Sequence, residues 1–214
     1  GLRVAGIGAD LPGQVHTKLG HVTFCEQLEW VEAPFGEYLT RTTGLPAYID
    51  NNTNLACAAE LDFGAGRGFE DIVYLYGGPG AIGGGAVVGG KLLRGAAGYA
   101  GEFGHMRISD DRAEDSSGLR GTLEALIRRE DLVAALRIKE AADDDLQFLL
   151  ASTRQPRVLR LMQQQVEHLG IAISNLVNMF NPQAVLLAGF LSALYEADDY
   201  RLLNIIRSGS VTGP

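Results

Sequence analysis

Hydrophobic positions along the chain indicate short buried strands that alternate with longer amphipathic segments. Apolar runs predict strands at residues 2–9, 47–49, 71–78 and 184–189. Helical spacing of apolar residues predicts helices near 31–43, 53–62, 119–128, 129–142, 145–152, 155–180 and 190–207. The run 82–95 is typical of a hairpin whose two-residue turn is the glycine pair at 89 and 90. Strands that alternate with helices in this way predict an α/β fold.

Composition and charge restrict the partners of the chain. The 214 residues suffice for one large domain or two small lobes, and 46% are hydrophobic and 21% charged, as in ordinary globular proteins. A net charge of -8 gives no overall attraction for nucleic acid or anionic membranes, so any DNA contact is expected from another segment. No signal peptide or bilayer-spanning apolar run is apparent, so we expect a cytoplasmic protein without a membrane partner.

The ends and the cysteines add two expectations. The chain starts without Met, directly in an apolar run, and ends in a loop-like "SVTGP", so we expect an excerpt of a longer protein. Cys25 and Cys57 form neither a disulfide framework nor a metal pattern, and Cys57 is expected to serve packing.

The glycine-rich run "GGPGAIGGG" at 77–85 follows a buried strand. Such a turn can present backbone N–H groups to a phosphate, but the glycines can equally serve only the geometry of a hairpin. The run is neither a Walker A sequence nor a dinucleotide fingerprint, because a second strand follows it.

Polar residues with ligand-binding chemistry occur at three further places. Asn51 and Asn52 stand where a strand meets a helix, and amides there can contact a polar ligand or cap the helix. Glu102 and His105 lie among glycines in "GYAGEFGHM", where a carboxylate and an imidazole can hold sugar hydroxyls or a metal, or be purely structural. In "DSSGLRGTLEAL" at 115–126, a helix carries Glu124, with Ser117 or Thr122 as its N-cap.

Together, the segments "IDNNTNLACAAE", "IGGGAVVGGKLLRGAAGYAGEFGHM", "GLRGTLE" and "NMFNPQAVLLAGFL" resemble the ROK family of repressors, open reading frames and sugar kinases. The transcriptional-regulator branch, which includes xylose and N-acetylglucosamine repressors, is the more similar one. The resemblance implies the actin-like, ribonuclease-H-like two-lobed sugar kinase fold, with sugar bound between the lobes. Residues 1–50 would complete an N-terminal lobe, and residues 51–214 would form the C-terminal lobe.

The resemblance also assigns roles to residues. It implies that the sugar site consists of Gly13, Asn51, Asn52, Glu102, His105 and Glu124, and that Gly80, Gly83 and Gly84 are the remnant of a phosphate-binding turn. Asn52 stands where the family's kinases have the aspartate that acts as general base. An amide cannot accept that proton, and the loss of a positioned base costs typically about 10²–10⁴-fold in rate, so we expect no catalytic residue. The alternative is that Asn52 only caps the following helix.

The zinc site of the family is altered as well. Family members that carry structural zinc use the counterpart of His105 and three cysteines, whose positions Asp115, Ser117 and Thr122 occupy here. Because structural zinc prefers thiolate and imidazole ligands, we predict no zinc and no other cofactor.

The expected function is that of a sugar-responsive transcriptional regulator without kinase activity. The chain would be its effector-binding domain, the effector a sugar or sugar phosphate, and the complete protein a homodimer that contacts DNA through an N-terminal winged helix-turn-helix outside this chain. The alternatives are an ATP-dependent sugar kinase of the same family, and a sugar-binding relative without a DNA-binding module.

Overall fold

A computed structural model describes residues 3–25, 27–139 and 141–211. Its strands are β1 (Ile7–Leu11), β2 (Gln14–His16), β3 (His21–Cys25), β4 (Trp30–Ala33), β5 (Ala47–Asn51), β6 (Ile72–Gly78), β7 (Ala81–Val88), β8 (Lys91–Leu92) and β9 (Ala184–Gly189). Its helices are α1 (Phe35–Thr43), α2 (Asn52–Phe63), α3 (Leu123–Leu126), α4 (Arg129–Leu136), α5 (Asp143–Ser152), α6 (Pro156–Phe180), α7 (Phe190–Ala197) and α8 (Asp199–Gly209), with a 3₁₀ turn at Phe103–His105.

A four-stranded sheet with the order β8-β7-β6-β9 forms the centre of the larger part of the chain. Strand β6 pairs parallel with β9 and antiparallel with β7. Val73 and Leu75 of β6 belong to the main hydrophobic core with α6 and α7, whereas Ile72 and Tyr74 pack in a second cluster with Cys57 of α2. Because both faces of β6 are covered, its sequence is a continuous apolar run rather than an alternating one.

A smaller hydrophobic cluster lies under the first five strands. Strand β1 pairs parallel with β5, and β2, β3 and β4 form an antiparallel sheet. The buried members of this hydrophobic cluster are Leu11, Val15, Val22, Cys25 and Ile49. At Asn51 the strand β5 passes directly into α2, so the last residues of β5 lie beside the first turn of a helix.

Several predicted elements are confirmed, and others have different bounds. The β7–β8 hairpin turns at Gly89 and Gly90, both with positive φ, as predicted. The predicted helix 31–43 begins only at Phe35, because residues 30–33 form β4 and Pro34, which lacks an N–H, is tolerated only where a helix starts. The predicted helix 190–207 is two helices, because Asp198 has a non-helical backbone and caps α8 by accepting from the N–H of Arg201.

Other expectations were wrong in extent or missed an element. The predicted strand 2–9 starts at Ile7, and its residue 2 lies outside the described residues. The helices predicted at 119–128 and 129–142 shorten to α3 and α4, and Arg137 ends α4 in the left-handed conformation. The β2–β4 sheet was not predicted. No helix among the described residues is long and apolar enough to cross a membrane.

Candidate functional site

A cavity of about 550 Å³ lies where the β5–α2 junction, the β6–β7 turn and the segment around His105 meet. Its lining includes every residue predicted for the sugar site, namely Gly13, Asn51, Asn52, Glu102, His105 and Glu124. Further lining residues, which the sequence did not indicate, are Gln14, Gln27, Thr53, Tyr76 and Ser116. Ser117, predicted only as a helix cap or as the occupant of a cysteine position, lines the cavity as well. Gln14, Thr53 and Ser116 each adjoin a predicted site or cysteine-position residue in the sequence, and this adjacency is the signal by which they could have been found.

Asn51 fixes the junction between β5 and α2. Its side-chain oxygen accepts from the backbone N–H of Thr53 at 2.9 Å and of Asn54 at 3.1 Å, and from the Thr53 hydroxyl at 2.6 Å. Its amide group donates to the carbonyl of Gly13 at 2.8 Å. The cap of α2 is therefore Asn51, and the second N–H of its side-chain amide has no acceptor among the residues that the structure describes.

Asn52 is the first residue of α2 and borders the cavity. Its side-chain oxygen accepts from the backbone N–H of Thr53 at 2.9 Å, so it shares in capping although the N-cap position belongs to Asn51. An amide at this place can donate and accept hydrogen bonds to a hydroxyl, but it has no basic lone pair that would take the proton.

Gly13 turns the chain from β1 into β2 at the edge of the cavity. Its φ of +86° is the left-handed conformation, and a Cβ here would lie 2.4 Å from the carbonyl oxygen of Phe24. Only glycine therefore fits, and its carbonyl is held in place for the amide of Asn51.

Glu102 and His105 are the two cavity residues whose pKa values are raised. Burial raises the pKa of Glu102, with His105 lowering it and Glu124 raising it further. Burial alone would lower the pKa of His105, but the hydrogen bond with Asp115 and the charges of Glu124, Asp115 and Glu102 leave that pKa raised. Perturbed titratable groups that converge on a cavity are typical of binding and catalytic sites.

Asp115 lies behind His105, with its side chain fully buried. One oxygen accepts from Nδ1 of His105 at 2.9 Å and from the hydroxyl of Thr122 at 2.8 Å. The other accepts from the N–H and the hydroxyl of Ser117 and from the N–H of Leu119. Burial would raise the pKa of Asp115, but these hydrogen bonds lower it to about 2.

The residues at the family's zinc position do not fit that metal. They provide one imidazole, one carboxylate and two hydroxyls, and the carboxylate oxygens of Asp115 are already taken by five donors. His105, Asp115 and Glu124 have ligand atoms within 4.8 Å of one another. However, both oxygens of Glu124 are also bonded, one to the N–H of Ile82 and the other to Ser116. A structural zinc needs free thiolate or imidazole ligands.

The β6–β7 turn has an acidic partner. The backbone N–H of Gly80 donates to a carboxylate oxygen of Glu130 at 2.7 Å, and Pro79 before it has no N–H. Gly83 and Gly84, predicted as parts of the phosphate turn, lie instead inside β7, opposite Tyr76 and Leu75 of β6. They are glycines because a Cβ would lie 2.3 Å from Thr53 and 2.5 Å from Phe103, respectively.

The family model described as "ROK family" matches residues 2–208 of the chain. The chain belongs to the ROK family. This confirms the family inferred from the motifs.

Relatives within the ROK family include both repressors and kinases. The chain is 31% identical over 222 residues to the xylose repressor of Caldicellulosiruptor bescii, covering 97% of this chain and 55% of that protein. It is 30% identical over 204 residues to the glucokinase of Halalkalibacterium halodurans, covering 87% of this chain and 62% of the glucokinase. The chain thus spans little more than half the length of these relatives.

The fold agrees with that of a solved ROK regulator. The crystal structure of a ROK family transcriptional regulator, a homologue of the E. coli MLC protein, superposes with a TM-score of 0.82 at 25% identity, over 98% of this chain and 56% of the regulator. The actin-like α/β fold that the resemblance implied is therefore confirmed.

Proposed function

We propose that the chain is the effector-binding part of a ROK-type, sugar-responsive transcriptional regulator that binds a sugar without phosphorylating it. The observation that carries the proposal is the amide of Asn52 at the cavity, at the position where the family resemblance implies a carboxylate in the kinases. Without that base, the sugar hydroxyl keeps its proton, while the hydrogen bonds that hold the sugar remain available.

The β6–β7 turn supports the same proposal. A phosphate-binding turn needs free backbone N–H groups that point at the ligand. Here Pro79 has none, and the N–H of Gly80 is bonded to the Glu130 carboxylate. A phosphate would have to displace that carboxylate and approach its negative charge.

The lining of the cavity favours an uncharged sugar over a sugar phosphate. Among the described lining residues there is no Lys or Arg, whereas Glu102 and Glu124 contribute carboxylates. Amide, carboxylate and imidazole groups suit the hydroxyls of a polyol. Xylose and glucose, named by the xylose repressor and glucokinase relatives, are the first candidates.

The complete protein would bind DNA as a homodimer, and sugar binding would change its affinity for DNA. The chain itself has a net charge of -8, so the DNA contacts would come from a segment outside it. A sugar can shift the regulator between its DNA-binding and released states only by binding them with different affinities.

Calorimetry or thermal shift with a panel of xylose, glucose and N-acetylhexosamines tests the site in the complete protein. One sugar should stabilise the parent protein, and Glu102→Ala and His105→Ala should each remove that stabilisation. Asp110→Ala is the control, because that carboxylate is fully exposed and, within the described part of the chain, pairs only with Arg107 at the surface. Stabilisation that persists in both site variants would place the sugar elsewhere.

A second candidate function is an ATP-dependent sugar kinase. A smaller cavity of about 370 Å³ adjoins the β6–β7 turn, and Arg128 and Arg129 line it beside Glu130. The two arginines would be the contacts for a nucleotide phosphate, although Arg129 already pairs with Asp143 and four carboxylates line the same cavity, those of Glu114, Asp115, Glu124 and Glu130. ATP-dependent turnover of a bound sugar separates this function from that of the regulator.

A further inference from the structure

We propose that the Asp115 carboxylate is a metal-free cross-link that replaces the family's zinc and orients His105 toward the ligand cavity. The part that concerns the ligand rests on the proposed sugar-binding function. The cross-link itself rests on the hydrogen bonds and burial of Asp115 alone.

The carboxylate connects two separate segments of the chain. It accepts from His105 in the 3₁₀ turn, and from Ser117, Leu119 and Thr122 in the loop that leads into α3. Its side chain is 0% exposed. A buried carboxylate is costly unless donors surround it, and five hydrogen bonds satisfy the roughly four lone-pair directions of its two oxygens. The residues at all four family zinc positions are thereby tied together without a metal.

Asp115 also decides which nitrogen of His105 faces the cavity. An ionised carboxylate can only accept, so Nδ1 of His105 must carry the hydrogen of the 2.9 Å bond. Among the described residues, Nε2 has no hydrogen-bond partner, and His105 lines the cavity while Asp115 does not. Asp115 is therefore a positioning residue, since it fixes the ring and leaves Nε2 for a ligand.

A cation at this place would have to break the cross-link. Of the three groups with ligand atoms within 4.8 Å of one another, Asp115 holds Nδ1 of His105, and the two oxygens of Glu124 accept from Ile82 and from Ser116. A metal would leave the donors of Ser117 and Thr122 without their acceptor, and unpaired buried donors are destabilising.

Metal analysis and ring-nitrogen NMR of the complete protein test the cross-link without any sugar. The purified protein should contain no stoichiometric zinc after exposure to zinc and a desalting step, and the ¹⁵N spectrum should show Nδ1 of His105 protonated. The triple variant Asp115→Cys, Ser117→Cys, Thr122→Cys, which supplies three thiolates beside His105, should gain about one zinc per chain. Stoichiometric zinc in the parent protein, a bare Nδ1, or a triple variant that gains no zinc would overturn the proposal.

Asp115→Asn tests the effect on the ligand. An amide has a single acceptor oxygen, so it cannot accept from His105 and from Ser117 and Leu119 at once. The affinity for the sugar that binds the parent should therefore fall about tenfold or more, while EDTA should leave the parent's affinity unchanged. Asp110→Asn, the same change at an exposed carboxylate, should leave the affinity as it is. If Asp115→Asn lowers only the melting temperature and not the affinity, Asp115 is structural and the positioning role is wrong. If no sugar binds the parent, the proposed function is wrong. The zinc content and the ¹⁵N spectrum of the His105 ring still test whether the metal-free cross-link exists.

Discussion

The backbone N–H of Gly80 donates to the carboxylate of Glu130, 50 positions further along the chain, at 2.7 Å. This contact joins the β6–β7 turn to the first turn of α4. Because of this contact, the turn has one free backbone N–H fewer to donate to a phosphate, and it carries the negative charge of the Glu130 carboxylate. The acidic partner, together with Pro79, distinguishes the geometry of this turn from that of an anion-binding nest.

Glu130→Gln should make the site more tolerant of phosphate. Removal of one exposed negative charge should raise the affinity for glucose 6-phosphate about two- to fivefold, because an exposed charge interacts only weakly through water and salt. The affinity for the uncharged sugar should change less than twofold. Calorimetry at low and moderate salt measures both. Asp131→Asn, on the same turn of α4, is the control and should change neither affinity.

Asn51→Ala should destabilise the β5–α2 junction. It removes the cap of α2 and the link to the Gly13 carbonyl, so the free energy of unfolding should fall by about 1–2 kcal/mol. Asn51→Ser keeps a capping oxygen but loses the link to Gly13, and should retain most of the stability. Urea unfolding of the three proteins measures the difference. Equal stability of Asn51→Ala and the parent protein would contradict the assigned cap.

Asn52→Asp should place a carboxylate at the position of the kinase base without producing kinase activity. The side chain keeps the oxygen that accepts from Thr53, so folding should be unaffected. Phosphoryl transfer should stay below about one hundredth of ordinary kinase rates, because the β6–β7 turn still lacks free donors. A coupled ATPase assay with the bound sugar measures this. Rapid turnover in Asn52→Asp would mean that the β6–β7 turn does not limit catalysis.

The His105–Asp115 pair should make stability depend on pH at both ends. The pKa of Asp115 is lowered from 3.8 to about 2, so its contribution is present above 3.8 and is lost as the pH falls through about 2. The pKa of His105 is raised from 6.5, so its contribution is present below 6.5 and is lost as the pH rises through the higher folded value. The stability difference between the parent and His105→Gln should therefore be largest near about pH 5 and shrink above neutrality. Urea midpoints across that range measure it, and a difference that grows toward alkaline pH would contradict the ion pair.

The fold could be predicted largely because its central elements carry local patterns. The apolar run of β6, the glycine turn at Gly89 and the long amphipathic α6 are each visible in a short window of sequence. The β2–β4 sheet escaped prediction, since strands of three to five residues are held by pairing between strands rather than by their own periodicity.

In the candidate site, too, residues in local motifs could be predicted, whereas contacts between distant parts of the chain could not. Glu102, His105 and Glu124 could be selected from motifs, and the structure brings them to one cavity. The contacts of Asp115 with His105 and of Glu130 with Gly80 could not be predicted, because they join residues 10 and 50 positions apart through tertiary packing. The assignment of the cap to Asn51 rather than Asn52 likewise depends on where the first turn of α2 begins.

The most direct test of the central claim is the rate of ATP-dependent phosphoryl transfer to the sugar that the complete protein binds. With ATP and sugar both at saturating concentration, we expect no turnover above that of the Glu102→Ala variant, which should not bind the sugar. Turnover of about 1–100 s⁻¹, the ordinary range of kinases, would contradict the claim that this protein binds a sugar without phosphorylating it.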